Sequence, residues 1–251
     1  MQRKQVRIFF ILLIVYALCA FITYSFFTNQ LASFAGVPLP DLGVSDTLLG
    51  LANAGIVLVV YGILGLLGYW FAKKLELPGI YRENAGWQQW GLIPLILGSV
   101  CGLLLIGGDI LFAQINGFGH FPHPAFPLSI IASLSAGIGE EIAFRSFILG
   151  LWGLIFSWIF RRQKSHKGIL WVSNIIAALV FSAGHLGTLM MLTGSSTLAE
   201  INPVLLVETF LLNGLVGVVS GQQYIKNGLI SAVGVHFWTD VVWHVLWGLS
   251  F

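Results

Sequence analysis

Long apolar runs alternate with short polar joints along this chain. Seven runs stand out, at about residues 6–28, 46–72, 90–115, 128–160, 168–191, 203–222 and 228–250. Each is at least as long as the 20-residue helix that crosses a hydrocarbon core of about 30 Å. The joints hold residues that stop helices: Val37-Pro38-Leu39-Pro40, Leu77-Pro78-Gly79, Phe121-Pro122-His123-Pro124 and Asn202-Pro203. The pattern predicts an all-α fold, a polytopic transmembrane helical bundle of about seven spans. No internal repeat is visible, and residues 1–251 read as a single membrane domain.

Composition sharpens this reading. The chain is 57% hydrophobic and 9% charged, whereas a soluble domain carries about 25% charge. So few charges cannot cover a water-facing surface, and lipid is the expected solvent. The net charge of +2 gives no footprint for nucleic acid. Cys19 and Cys101 both sit inside apolar runs, which argues against a disulfide framework or a cysteine metal site. The basic start, Met1 to Arg7, leads into an apolar run too long for a signal-peptide core and without a small-x-small cleavage site. It is read as an uncleaved first span.

Charge placement supports the span count. Arg3, Lys4 and Arg7 precede span one; Lys73, Lys74 and Arg82 follow span two; Arg161, Arg162, Lys164 and Lys167 follow span four; Lys226 follows span six. The alternate loops hold no Lys or Arg, but do hold Asp41, Asp46 and Glu200. Eleven of the twelve basic residues thus fall on one side, which the positive-inside rule makes cytoplasmic. The N-terminus is then expected in the cytoplasm and the C-terminus outside. Tyr69, Trp70, Trp87, Trp90, Trp171, Tyr224 and Trp247 near span ends fit interfacial belts. The expected location is the plasma (inner) membrane of a bacterium. Span four is too long: Leu128 to Phe160 is 33 residues, about 50 Å as one straight helix. A break is expected near Gly137-Ile138-Gly139.

The twelfth basic residue, Arg145, lies inside span four, in Gly139-Glu140-Glu141-Ile142-Ala143-Phe144-Arg145. Ionisable groups inside a membrane helix are costly and mark function by default. Glu141 and Arg145, four apart, can pair along one face. Glu140 points about 100° away and lacks that partner, which leaves it free to accept a proton. The bland alternative is a salt-bridge cluster that locks helices. Span five carries Phe181-Ser182-Ala183-Gly184-His185, where small residues let another backbone approach; the alternative is a hydrogen-bonded core histidine. Span seven places His236, Asp240 and His244 on one face, at i, i+4 and i+8. A buried hydrogen-bond ladder or a transporter's proton relay would use the same stripe. Counted from the basic clusters at 1.5 Å per residue, Glu140 lies about 31 Å deep, His185 about 27 Å and His236 about 12–15 Å. Asp109 reads as an interhelical contact, and Glu208 as a cavity liner or a cap on a neighbour. His120 and His123 read as solvated turns, and His166 as part of a basic loop.

Glu-Glu-x-x-x-Arg, then Phe-x-x-x-His, then His-x-x-x-Asp, each on its own span and in this order, resembles the CPBP family. These are the type II CAAX-prenyl endopeptidases and their bacteriocin-processing and self-immunity relatives. The resemblance covers roughly residues 135–245, within a motif-bearing core of about 128–250, and implies an intramembrane endopeptidase. It implies Glu140 as general base on the hydrolytic water and His185 as the residue that positions that water. It implies His236 as oxyanion stabiliser, Asp240 in the place usually held by Asn or Asp, and Glu141 with Arg145 as supports. Ionised Asp cannot donate a hydrogen bond, so either Asp240 is protonated or it orients His236.

No metal is favoured. A zinc metalloprotease with His185, His236 and Glu140 as ligands is the alternative, though no His-Glu-x-x-His is present. The implied partner is a peptide or protein substrate in membrane lipid, a prenylated CAAX protein being one candidate. The rival classes are a proton-coupled transporter and a non-catalytic peptide-binding immunity or scaffold protein. A transporter would be expected to show inverted repeats of broken helices, and none is visible.

Overall fold

The computed structural model describes residues 2–36, 42–160 and 166–250. Among the described residues seven helices are long and apolar enough to cross a membrane: Arg3–Phe26, Asp46–Lys74, Gln88–Phe112, Leu128–Ile159, His166–Thr193, Pro203–Asn227 and Leu229–Ser250. They are spans one to seven, one for each predicted apolar run. A short helix, Thr28–Ala35, follows span one. The described residues contain no strand. Val37-Pro38-Leu39-Pro40, Asp41, Arg161, Arg162 and Lys164, which entered the reading of the loops, lie outside the described residues.

Small residues set how closely the spans meet. In span three, Gly98 and Gly102 face span seven so tightly that a Cβ on Gly98 would lie 2.4 Å from the Val235 carbonyl oxygen. One on Gly102 would lie 2.6 Å from Cβ of Val242. This is the small-xxx-small spacing by which membrane helices pack backbone to backbone. Thr239 Oγ1 then reaches the Gly98 carbonyl at 3.2 Å and fixes span seven in rotation. The neighbouring His236 and Asp240 are thereby aimed at the bundle interior.

The two ends of the bundle are tied differently. At the Lys/Arg-bearing end, Gln5 takes a hydrogen bond from the Ile80 amide at 2.9 Å and donates to the Tyr81 carbonyl at 3.3 Å. The same loop holds the start of span seven, with Leu229 N–H donating to Gly79 and Ile230 N–H to Ile80. Leu229, Ile80, Tyr224 and Ala232 are all essentially inaccessible. Span seven therefore starts beneath this loop, inside the protein.

At the opposite end, the loop 113–127 folds back onto spans three, six and seven. Asn116 accepts the amides of Phe118 and Gly119 and donates to Glu208 at 2.8 Å. Asp109 accepts the Phe121 amide at 3.0 Å and pairs with His120. His123 meets His244 Nδ1 to Nδ1 at 3.1 Å and packs edge-on against Trp243. His120 stays exposed, as a solvated turn residue, although it pairs with the buried Asp109. The expectation of a solvated turn is corrected for His123, which is half-buried against Trp243 and His244, because a loop covering a bundle must satisfy its own polar groups. The partner of Asp109 is likewise this loop rather than another span.

Span four does not break at Gly137–Gly139. It runs as α-helix through Glu140, widens to π-helix over Glu141–Leu149, and returns to α-helix over Gly150–Ile159. Span seven makes the same change, from α-helix ending at Asp240 to π-helix over Val241–Leu246. The excess length is accommodated without a break.

Candidate active site

Glu140, His185, His236 and Asp240 line one cavity of about 210 Å³. Spans four, five and seven bring them together, and span six closes the wall with Glu208, Thr209, Asn213 and Val216. Two of the four π-helical segments among the described residues, those of spans four and seven, begin at the residue after a cavity carboxylate, Glu140 and Asp240; the other two, Val57–Tyr61 and Gln88–Leu92, lie away from the cavity. Such local widening of a helix is found frequently at functional sites.

His236 is the centre of the polar cluster. Its Nδ1 lies 2.8 Å from Glu141 Oε1. Its Nε2 lies 3.7 Å from Glu140 Oε2 and 3.6 Å from Asp240 Oδ2. A carboxylate only accepts, so Nδ1 carries the proton toward Glu141 and the opposite edge of the ring faces the cavity. Glu140 and Glu141, which point apart around the helix, thus straddle the same imidazole. Expecting Asp240 to stand behind His236 needs correcting in this geometry. Glu141 stands behind the ring, and Asp240 shares its Nε2 edge with Glu140.

Glu141 also meets Arg145, with Oε2 3.2 Å from Nε and both side chains fully buried. The N–H is not directed at the oxygen, and neither atom has a hydrogen-bond partner. The pair is held by charge rather than by a hydrogen bond. Arg145 compensates by stacking on the Phe181 ring, its guanidinium carbon 4.4 Å from the ring centroid. The same ring meets His185 at 4.9 Å, Phe144 at 5.3 Å and His236 at 5.5 Å, all close to edge-on. One buried phenylalanine therefore positions Arg145 and both histidines.

His185 sits at the turn where span five changes direction, between His166–Gly184 and Leu186–Thr193. Its Nδ1 lies 3.0 Å from the Phe181 carbonyl, which can only accept. Nδ1 is then the donor, and in the neutral ring Nε2 is the acceptor. The Glu140 side chain is 33% accessible, while its Oε2 has no hydrogen-bond partner. Among the described residues no three His, Cys, Asp or Glu side chains converge closely enough to hold a metal ion.

The family model for type II CAAX prenyl endopeptidase, Rce1-like, matches residues 122–242. All four cavity residues and both members of the buried pair lie within that stretch. Over this segment the chain is similar to the Rce1-like family. The chain is also similar to the phosphatidylglycerol–prolipoprotein diacylglyceryl transferase of Aliivibrio salmonicida (strain LFI1238). The match is 28% identical over 133 residues, 52% of this chain and 44% of that protein. A Haemophilus influenzae (strain PittEE) protein of the same name is 28% identical over 144 residues, 57% of this chain and 48% of that protein. The chain spans about half the length of the curated relatives it matches. No solved structure matches.

The Rce1-like segment does not supply the whole site. Tyr16 of span one stands against Gly139, where an added Cβ would come within 2.6 Å of its hydroxyl. Tyr16 packs edge-on against Tyr61 of span two at 4.9 Å. Phe34 adds a ring to the cavity wall. Neither residue belongs to a motif, and an aromatic residue in an apolar run carries no signal that marks it as a neighbour of Glu140. Glu208 lines the cavity and also caps the loop through Asn116, so both of its expected roles are met.

Proposed function

We propose that this chain is a membrane-embedded endopeptidase that hydrolyses a peptide bond with a water activated by Glu140. One observation carries the reading. Glu140, His185, His236 and Asp240 line a single cavity, and the Glu140 Oε2 facing His236 has no hydrogen-bond partner. Such a carboxylate beside a histidine acceptor suits a water held between them. Glu140 takes a proton from the water, and His185 Nε2 accepts its other hydrogen. The oxygen attacks the carbonyl carbon of the peptide bond. An imidazolium at His236 has N–H on both nitrogens, so Nδ1 stays on Glu141 while Nε2 donates to the developing oxyanion. Glu140 returns the proton to the leaving nitrogen as the C–N bond breaks, giving a carboxylic acid and an amine. Glu141 holds the His236 ring, and Arg145 offsets part of the negative charge contributed by three carboxylates. The apolar walls exclude bulk water and strengthen each of these contacts.

The test uses purified full-length protein in lipid nanodiscs and a panel of quenched fluorescent peptides, prenylated and unprenylated, with and without a chelator. Cleavage that survives the chelator and is lost in His185→Ala supports the reading. Cleavage that disappears with the chelator and returns with zinc would replace it with a metal-dependent one. A folded wild type that cleaves none of the panel would favour a transport or binding role.

A further inference from the structure

The cavity has an open end and a closed end, and charge places them on different sides of the membrane. Its outer wall is built by Phe34 of the short helix after span one, Phe121 and Pro122 of the loop 113–127, and Thr188 and Leu192 of the last turns of span five. Thr188 is exposed, and Phe34 and Leu192 are half-exposed. These elements adjoin the loops between spans one and two, three and four, and five and six. Those three loops contain no Lys or Arg.

The other end is sealed. Behind Glu140 and His236 lies the buried Glu141–Arg145 pair. Beyond it, Phe9, Ile142, Leu149, Ala177, Tyr224 and Leu229 pack into one cluster, each 2% accessible or less. No residue from the Lys/Arg-bearing loops lines the cavity among the described residues. The loop around Gly79 and Ile80 closes over span seven on that side. Among the described residues, every Lys and Arg except Arg145 belongs to this sealed end, and in the sequence eleven of the twelve basic residues fall in the segments on this side. A bias this complete orients a multispan protein with that end in the cytoplasm.

We infer that the cavity is entered from the non-cytoplasmic face, so that its substrate is a segment of an exported polypeptide rather than a cytosolic tail. Calling the entrant a substrate rests on the peptidase reading; the access face does not. The occupant that fits is an apolar peptide segment at the outer leaflet. It would lie against Phe34, Phe121 and Leu192 and reach Glu140 from outside.

The experiment has two arms, both in intact cells with the full chain. In a background with Cys19→Ala and Cys101→Ala, single cysteines are placed at Ser196 and Lys167, exposed positions flanking the two ends of span five. A membrane-impermeant maleimide should label Ser196→Cys directly and Lys167→Cys only after the cells are permeabilised. The reverse pattern overturns the inference whether or not the protein cleaves anything. In the second arm, one cleavable segment is displayed on a membrane anchor either outside or in the cytoplasm. Cleavage of the external display alone supports the inference, and cleavage of the cytoplasmic display overturns it. External labelling of Ser196→Cys with neither display cut would uphold the access face and count against the peptidase reading.

Discussion

Removing the Glu141 carboxylate tests the geometry at its most strained point. Glu141 serves two partners at once, His236 Nδ1 at 2.8 Å and Arg145 Nε at 3.2 Å. Arg145 is among the largest fully buried side chains in the protein. Glu141→Ala takes away the anion that touches its guanidinium, which is then left against the faces of Phe181 and Phe144. Breaking a buried pair by removing one partner costs about 3–5 kcal/mol, because the remaining charge stays out of water. At 1.4 kcal/mol per tenfold, this lowers the folded-to-unfolded ratio by roughly two to four orders of magnitude. Glu141→Gln should cost less, since its amide oxygen still accepts from His236. The pair Glu141→Met with Arg145→Met should recover much of the loss, since no buried charge is left. Equilibrium unfolding in mixed micelles, followed by tryptophan fluorescence, measures all four proteins. A Glu141→Ala variant within about 0.5 kcal/mol of wild type, the range of ordinary surface changes, would refute the reasoning. So would a double variant no more stable than Glu141→Ala.

Two further perturbations follow from neighbouring geometry. Gly139→Ala pushes a methyl to within 2.5 Å of the Tyr16 ring, an overpacking that costs about 1–3 kcal/mol. Adding Tyr16→Ala to that variant should restore the space and most of the stability, which thermal unfolding reads directly. His123 lies in the loop 113–127, where burial beside Trp243 holds its pKa down at about 4, against an ordinary 6.5. Asp109 opposes this shift and His120 reinforces it, while His244 contacts the ring directly. The folded state therefore favours neutral His123. Its contribution is complete above pH 6.5 and is lost progressively as pH falls toward 4, because the unfolded chain takes up the proton first. Unfolding measured across that window should show a pH slope that flattens in His123→Gln.

Much of this arrangement is legible in the residues, and the part that is not has physical causes. The seven spans follow from apolar runs, because lipid tolerates little else. The Glu141–Arg145 pair follows from i,i+4 spacing on one helix. The bond from Glu141 to His236 joins residues 95 apart in sequence, and helical periodicity says nothing about which face of span four meets span seven. That contact is decided by Gly98 and Gly102, which let span seven sit deep against span three. For the same reason Asp240, four residues from His236, looked like its natural orienting partner. The continuity of span four was hidden because glycines at 137 and 139 read as a break, whereas here they admit Phe237 and Tyr16. His120 and His123 sit in a proline-rich stretch that reads as solvated, and their partners Asp109 and His244 lie on two different spans.

The most direct measurement is kcat/KM of Glu140→Gln against wild type on a peptide the wild type cleaves, in nanodiscs, with fluorescence spectra confirming the same fold. Loss of general-base catalysis predicts a fall of about 10²–10⁴-fold without loss of the folded state. A Glu140→Gln protein that cleaves at the wild-type rate would contradict the account.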